Sequence, residues 1–549
     1  MKKQFLYTGF AVMLSFSAMA QKNPDAVKFS ETINKQRGYD HLSILASDEF
    51  EGRETGKKGA WMAAEYIKKQ FQSFGLKGPV KDGSDPYFQK LGYASISLTK
   101  SVLSVNGQAK ENFKDYYMPT NTVTAKGYDI KASSIIFADY GLNKDEFNNY
   151  AGQDVAGKVV MIFNSGDPVA KPAPAPAPGT RRAPSSVGSL QNKIKYLIEQ
   201  KAAGVLVIDP NIETMSPQMK ARLQNSNPYL QTTERMKSMA TAASLPTVNI
   251  SVSLANQILA SANTNIDEVK KKIAETLKPA TVVLNVPVQF SAASKETDVR
   301  AENVLGFLEG SDPKLKNEVL VITGHYDHIG LVADPNAKDK VNNGADDDGS
   351  GTTGVLLMAE AFAKAKKAGK GPKRSILFMT VVGEEKGLLG SEWYSEHPVF
   401  PVANTIANLN TDMIGRIGEE YLGKPDSANY IYSVGSYRLS TELGDLSEQI
   451  NKTYTNMKLD YKYDDPKDPQ SIYTRSDHYN FAKLGIPVIF YYDGMLEQDY
   501  HRPGDEVSKI NFDLLAKRAH LSFYTAWELA NRANRPVVDK NLNGTPKTK

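Results

Sequence analysis

Five short stretches of the chain carry the side chains best suited to chemistry. They are Gly324-His325-Tyr326-Asp327-His328, Asn343-Gly344-Ala345-Asp346-Asp347-Asp348-Gly349-Ser350-Gly351, Gly383-Glu384-Glu385, Asn410-Thr411-Asp412-Met413 and Asp499-Tyr500-His501. Each is rich in carboxylates, imidazoles or both, and the sequence contains no cysteine. Thiol catalysis, disulfides, iron–sulfur clusters and thiolate-held zinc are therefore excluded. Carboxylates a few ångströms apart repel, and without a counter-charge some must take up protons. Divalent cations remove that conflict. Two histidines with three carboxylates suit zinc or another borderline metal, and a carboxylate shared by two ions suits a two-metal hydrolytic centre.

The elements that must position these groups are written just before them. Apolar runs at 319–322, 376–382, 405–409 and 488–492 lead into four of the five stretches. The remaining one, with the Asp triplet, opens a helix expected over about 353–368. From roughly residue 288 onward, such runs alternate with helical periodicity, which predicts an α/β domain with a mixed, largely parallel sheet flanked by helices. In open sheets of this kind ligands gather at the carboxyl ends of the strands, so the five stretches should converge on one edge. Earlier, Trp61, Ala64, Ile67, Phe71 and Phe74 recur at helical spacing, with Gly75 as the C-cap. Near the end, Leu515, Ala519, Phe523 and Trp527 mark a helix capped by Asn511. Between them, at 134–137, 159–163 and 205–208, short apolar runs separated by turns predict a β-rich region. A proline-rich segment at 171–178, followed by Arg181-Arg182, should form an exposed, solubilising loop.

With 549 residues, two or three domains are expected. Lys and Arg number 66 against 62 Asp and Glu, a formal +4. That surplus is too small for the basic stripe of a general nucleic-acid binder, so no nucleic-acid partner is expected. Residues 1–20 combine Lys2 and Lys3, an apolar run from Phe5 to Phe16, and Ala18-Met19-Ala20. This is the pattern of a signal peptide cut after Ala20, which implies an exported chain, periplasmic or secreted. No later segment is apolar for long enough to span a bilayer.

Taken together, the five stretches resemble the co-catalytic, two-zinc aminopeptidase family of secreted leucyl aminopeptidases and aminopeptidase Y. Extended to Glu384-Glu385-Lys386-Gly387-Leu388-Leu389-Gly390-Ser391 and Asp412-Met413-Ile414-Gly415, the motifs are highly specific, and residues 46–56 look like the family's N-terminal segment. The intervening region resembles a protease-associated domain through 157–161 and 203–208. The resemblance implies a zinc exopeptidase fold, built from 21–120 and 288–549, with the insert at 121–287. It implies His325 and Asp412 on one zinc, Glu385 and His501 on the other, and Asp347 bridging both. Asp327 would accept the other N–H of His325, Glu384 would be the general base, and Tyr500 would be a second donor to the oxyanion.

The implied reaction is removal of N-terminal residues from peptide substrates, with metal-bound hydroxide as nucleophile. A carboxypeptidase or dipeptidase on the same fold is the alternative. A glutaminyl cyclase would use one zinc, against the complete five-ligand set, and a non-catalytic binding protein has no need of Glu384. His478, in Arg475-Ser476-Asp477-His478, is open to a pocket-lining or a structural role. His41, His328, His397 and His520 are expected outside the site.

Overall fold

The apolar runs that precede the acidic stretches form the four central strands of an eight-stranded sheet. This computed structural model describes residues 22–547, except 84, 124–126, 170–188, 217–218, 221–222, 224–225, 242–243 and 335. The signal-peptide pattern and the proline-rich loop with its arginine pair lie outside the described residues. The chain divides into two units, one of residues 1–91 with 300–549 and the other of Gly92–Val299. The insert expected at 121–287 falls within the second.

In the first unit the strands lie in the spatial order Phe88–Lys90, Glu302–Leu308, Ser375–Val381, Val319–His325, Thr405–Thr411, Val488–Tyr492, Tyr430–Val434 and Lys458–Asp460. The middle four run parallel, and an antiparallel neighbour flanks them on each side. All four middle strands are buried along their whole length, which explains why each reads as a continuous apolar run rather than an alternating one. Successive side chains point to opposite faces. Phe378 meets Phe362 of the helix Gly351–Lys367, which in turn packs on Phe523 and Trp527 of the helix Phe512–Asn531. Leu377 and Met379, one residue either side, join the opposite core with Tyr394, Phe481 and Phe490. Both faces are thus covered, and each fully buried side chain of this size contributes about 1.5–3 kcal/mol.

The helix signals hold. Lys58–Phe74 is helical, and Gly75 at φ 86° closes it by donating to the carbonyls of Phe71 and Gln72. Asn511 caps Phe512–Asn531 by accepting the Leu514 N–H. Among the described residues, no helix is long and apolar enough to cross a membrane.

The second unit contains a six-stranded sheet ordered Val282–Leu284, Ile135–Phe137, Val159–Phe163, Gly204–Ile208, Thr247–Ile250 and Tyr116–Tyr117. Its four inner strands are parallel. A further sheet is built around Tyr93–Val105, which pairs antiparallel with Val288–Asp298. Leu103, Phe290 and Val288 of this sheet share a core with Phe137, Met161 and Leu206 of the other.

Candidate metal centre

The carboxyl ends of the four parallel strands deliver the acidic and histidine residues to one place. His325 is the last residue of its strand, Asp412 directly follows Thr405–Thr411, and Glu384 and Glu385 follow Ser375–Val381 after a Gly383 turn. The Asp triplet enters between them. Its two flanking carboxylates are held by the backbone. Asp346 Oδ1 accepts from Gly415 N at 2.8 Å and from Ser350 Oγ at 2.9 Å. Asp348 accepts from His325 N, Gly351 N and Met413 N at 2.8–3.1 Å. Gly351 has to be glycine for this, since a Cβ there would come within 2.2 Å of Asp348 Oδ1 and of the Thr411 carbonyl.

The middle acid behaves differently. Asp347 Oδ1 lies 3.3 Å from His325 Nε2, and Oδ2 lies 3.1 Å from His501 Nε2. Asp412 Oδ1 is 3.6 Å from His325 Nε2, while its Oδ2 accepts from Ser476 Oγ at 2.6 Å. Glu385 Oε2 is 2.9 Å from His501 Nε2, whereas Glu384 Oε2 points to His325, 3.8 Å away. The adjacent glutamates diverge to different imidazoles, and they do so from a turn, closed by Gly387 N and Leu388 N donating to the Glu384 carbonyl, rather than from an extended pair. All five residues expected as ligands, together with Glu384, are brought together.

Asp327 sits beside them with a twist. His325 Nδ1 is 3.1 Å from the Asp327 main-chain oxygen but 3.7 Å from its carboxylate. That carboxylate instead accepts from Thr55 Oγ1 at 2.6 Å and from Glu384 N at 3.2 Å. Tyr500 stacks on His501 at 3.9 Å between ring centroids and accepts from Arg475 Nη2 at 3.1 Å.

Other residues were missed or left open by sequence reasoning. His328, expected outside the site, lies inside it, with Nδ1 2.8 Å from Glu385 Oε1 and 3.7 Å from Asp347 Oδ2. Its signal was only its place three residues after His325. Arg53 is fully buried and donates to four main-chain carbonyls around the site, and nothing in its own spacing marked it. His478 is fully buried and stacks on Phe490 at 4.8 Å, away from the cluster. His41 meets Tyr66, His397 stacks on Trp393, and His520 faces the Ser30 carbonyl, all apart from the centre.

The electrostatics call for positive charge. Burial lifts Glu384 well above the usual carboxylate range, helped by Asp412 and Glu385 and opposed by His325. Burial works against charge on Asp347 too, yet its contacts to His325 and His501 outweigh that and hold it well below 3.8. Burial disfavours a charged His501, but Asp347 and Glu385 raise it to about 10. His325 Nε2, Asp347 Oδ2, Glu385 Oε1 and His501 Nε2 are all buried without a hydrogen-bond partner. Buried polar atoms are normally paired. An imidazole and carboxylate donor set whose lone pairs converge unpaired fits divalent cations, and the oxygen–nitrogen mix with no sulfur fits zinc.

A cleft opens onto this centre. Asp347, Glu384 and Asp412 form one wall, and Met413, Ile472, Phe490 and Leu496 form an apolar one. Arg475 and Tyr500 stand beside them. Arg416 does not line the cleft and pairs with Asp499 at 2.9 Å.

Several known proteins are similar to parts of this chain. The chain is similar to a "Probable zinc metalloprotease" of Pyrenophora teres f. teres, 27% identical over 309 residues, which is 50% of this chain and 60% of the relative. It is 30% identical over 227 residues to "Leucine aminopeptidase 1" of Sclerotinia sclerotiorum, covering 40% of this chain and 54% of that one. The chain thus spans about 54–60% of the length of these curated relatives. Among solved structures, an aminopeptidase from Aneurinibacillus sp. strain AM-1 aligns with 93% of this chain and 98% of its own, at a TM-score of 0.47 and 17% identity. A family model described as Peptidase family M28 matches residues 303–526. Both groups of candidate metal ligands, from His325 to His501, lie inside that match.

Proposed function

We infer that the chain is a two-zinc metallo-exopeptidase that removes residues from the free N-termini of peptides. The observation that carries this reading is Asp347, whose two oxygens face His325 on one side and His501 on the other. Its neighbours Asp346 and Asp348 are engaged by backbone amides, which leaves Asp347 as the carboxylate two ions would share. On this reading His325 and Asp412 hold one zinc, and Glu385 and His501 hold the other. Zinc bound there supplies a water of pKa near about 7, down from about 15.7, and polarises a carbonyl.

The chain's own residues do the rest. Glu384, whose proton affinity burial raises, takes a proton from the attacking water as the carboxylate and returns it to the leaving amine. The Tyr500 phenol, held by Arg475, donates to the oxyanion as the carbonyl becomes tetrahedral. Asp412 and Glu384 offer negative charge to a substrate α-ammonium, and the apolar wall accepts the first side chain. Thr55 and the Glu384 amide fix Asp327, whose main-chain oxygen faces His325 Nδ1.

One observation favours a second reading. Arg475 lies on the cleft wall, where a guanidinium would clamp a terminal carboxylate, as a carboxypeptidase or dipeptidase requires. The basic, apolar and small-residue pattern of residues 1–20 supports export to the periplasm or beyond, and the runs at 157–161 and 203–208 support a protease-associated insert. The test is metal analysis of the purified full chain together with mass spectrometry of peptide products. Two zinc ions per chain and stepwise loss of N-terminal residues are expected. A chain that holds no zinc would overturn this reading.

A further inference from the structure

We propose that His328 is a ligand of the ion held by Glu385 and His501, so that this ion is enclosed by four protein donors while its neighbour keeps an open position. The proposal rests on the two-metal reading above and goes beyond its five ligands.

His328 is fully buried, and neither ring nitrogen has a hydrogen-bond partner. Nδ1 nonetheless lies 2.8 Å from Glu385 Oε1, itself a buried oxygen without a hydrogen bond. Two polar atoms in contact but not aligned for a hydrogen bond are in the relation expected of donors aimed at one common cation. The remaining spacings agree. Asp347 Oδ2 is 3.7 Å from His328 Nδ1 and 3.1 Å from His501 Nε2, and Glu385 Oε2 is 2.9 Å from His501 Nε2. Zinc bonds of about 2.0–2.1 Å in a tetrahedron place donor atoms about 3.3 Å apart, in the middle of this set.

The ring is also held in place. Its backbone N–H donates to the Arg53 carbonyl at 3.1 Å. Gly344, at φ 57°, lies directly against the ring, and a Cβ there would come within 2.5 Å of His328 Cγ. Its edge meets the His501 ring at 5.6 Å and 74°.

The two sites then differ in kind. His328, His501, Glu385 and Asp347 complete a four-donor set, the arrangement of closed structural zinc sites. On the other side His325, Asp412 and Asp347 supply three donors, the nearby Asp348 carboxylate being held by the His325, Gly351 and Met413 amides, and Glu384 stands 3.8 Å from His325 beside that group. The open position, and the water that Glu384 deprotonates, therefore belong to the His325 side. The enclosed ion should bind first and more tightly.

The test uses the full chain and zinc alone. X-ray absorption on wild type loaded with one equivalent should show two imidazoles on the metal, and chelator competition should give two classes of site. In His328→Gln the tighter site should weaken by at least about 10-fold, the loss that even an indirect partner's removal brings, with the weaker site unchanged. One imidazole on the first ion, or equal affinities in wild type and variant, would overturn the proposal while leaving the two-metal reading intact. A wild-type chain that takes up no zinc would instead remove the reading on which it rests. The absorption measurement needs no variant, so misfolding of His328→Gln does not obscure the answer.

Discussion

Arg53 reaches across 273 positions of sequence to donate from Nε to the Tyr326 carbonyl at 2.7 Å. The same guanidinium donates to the carbonyls of Leu45, Asn343 and Gly344 at 2.6–2.8 Å. One planar fork therefore ties the turn carrying His325 and Asp327 to the loop that leads into the Asp triplet. Arg53→Ala would leave several buried carbonyls without donors, at about 1–3 kcal/mol each before relaxation. We expect a loss of at least about 3 kcal/mol in urea unfolding, together with weaker metal retention. Arg53→Lys should recover little, because a single ammonium cannot span four acceptors. A lysine variant as stable as wild type would show that the fork itself is not what matters.

Glu384→Gln should keep the fold and both metals yet lower the catalytic rate by about two to four orders of magnitude, the usual size of general-base catalysis. The motivation is that Glu384 points toward His325 while Glu385 engages His501 and His328. Steady-state kinetics beside zinc analysis decides it. Near-normal turnover in the variant would rule out this role.

Asp347→Ala should release at least one metal, whereas Asp346→Asn should retain both. Asn keeps an acceptor for Gly415 N and Ser350 Oγ, the two donors that Asp346 Oδ1 serves. Metal content of the dialysed variants is the measurement. Full retention by Asp347→Ala alongside loss by Asp346→Asn would move the bridge to another acid of the triplet.

How far the sequence could be read depends on the kind of signal each residue leaves. Strands buried on both faces write themselves as apolar runs, and the residues after each run must emerge at its carboxyl end. That logic was enough to gather four of the five stretches at one edge, with the Asp triplet at the start of a helix, while the choice of His325, Asp347, Glu384, Glu385, Asp412 and His501 within them came from the family resemblance. It could not include His328, since two ligand histidines already filled the expected set and spacing along a turn does not reveal which way a ring faces. Ser476 and Arg53 were equally invisible in role. A hydroxyl donating to Asp412 and a guanidinium collecting carbonyls depend on distant chain segments meeting, and neither residue type repeats with a period. For Asp327 the neighbour was legible but not the atom, because the carboxylate turns to Thr55 and leaves its main-chain oxygen nearest to His325.

His478 gives the fold an acid sensitivity that is separate from the metals. Burial lowers its pKa to about 3, against about 6.5 in the unfolded chain. The unfolded state thus takes up a proton that the folded state refuses. The associated stability is complete above pH 6.5 and declines as pH falls from 6.5 toward 3. The loss should be about 2 kcal/mol between about pH 7 and pH 5. His41, lowered to about 4 by burial and by Arg37, adds in the same direction. His478→Phe keeps a ring stacked on Phe490 and removes the titration, so its urea midpoints should fall less between those pH values. Parallel declines in wild type and variant would place the sensitivity elsewhere.

The choice between the two ends of a peptide turns on Arg475. Its guanidinium holds the Tyr500 hydroxyl at 3.1 Å and lies over that ring at 5.8 Å, so its best direction is already spent on the phenol. Arg416, the other arginine near the site, is committed to Asp499 and Gln498. To clamp a terminal carboxylate bidentately Arg475 would have to turn away from the phenol, whereas Asp412 and Glu384 already line the cleft as acceptors for an ammonium. A matched peptide should therefore be cleaved when unmodified or C-amidated, and spared when N-acetylated. Arg475→Met should lower kcat by loosening Tyr500, with little change in the ratio of rates for amidated and free-acid peptides. If amidation alone abolishes cleavage in wild type, and Arg475→Met removes that discrimination, the arginine is a carboxylate clamp and the enzyme works from the C-terminus.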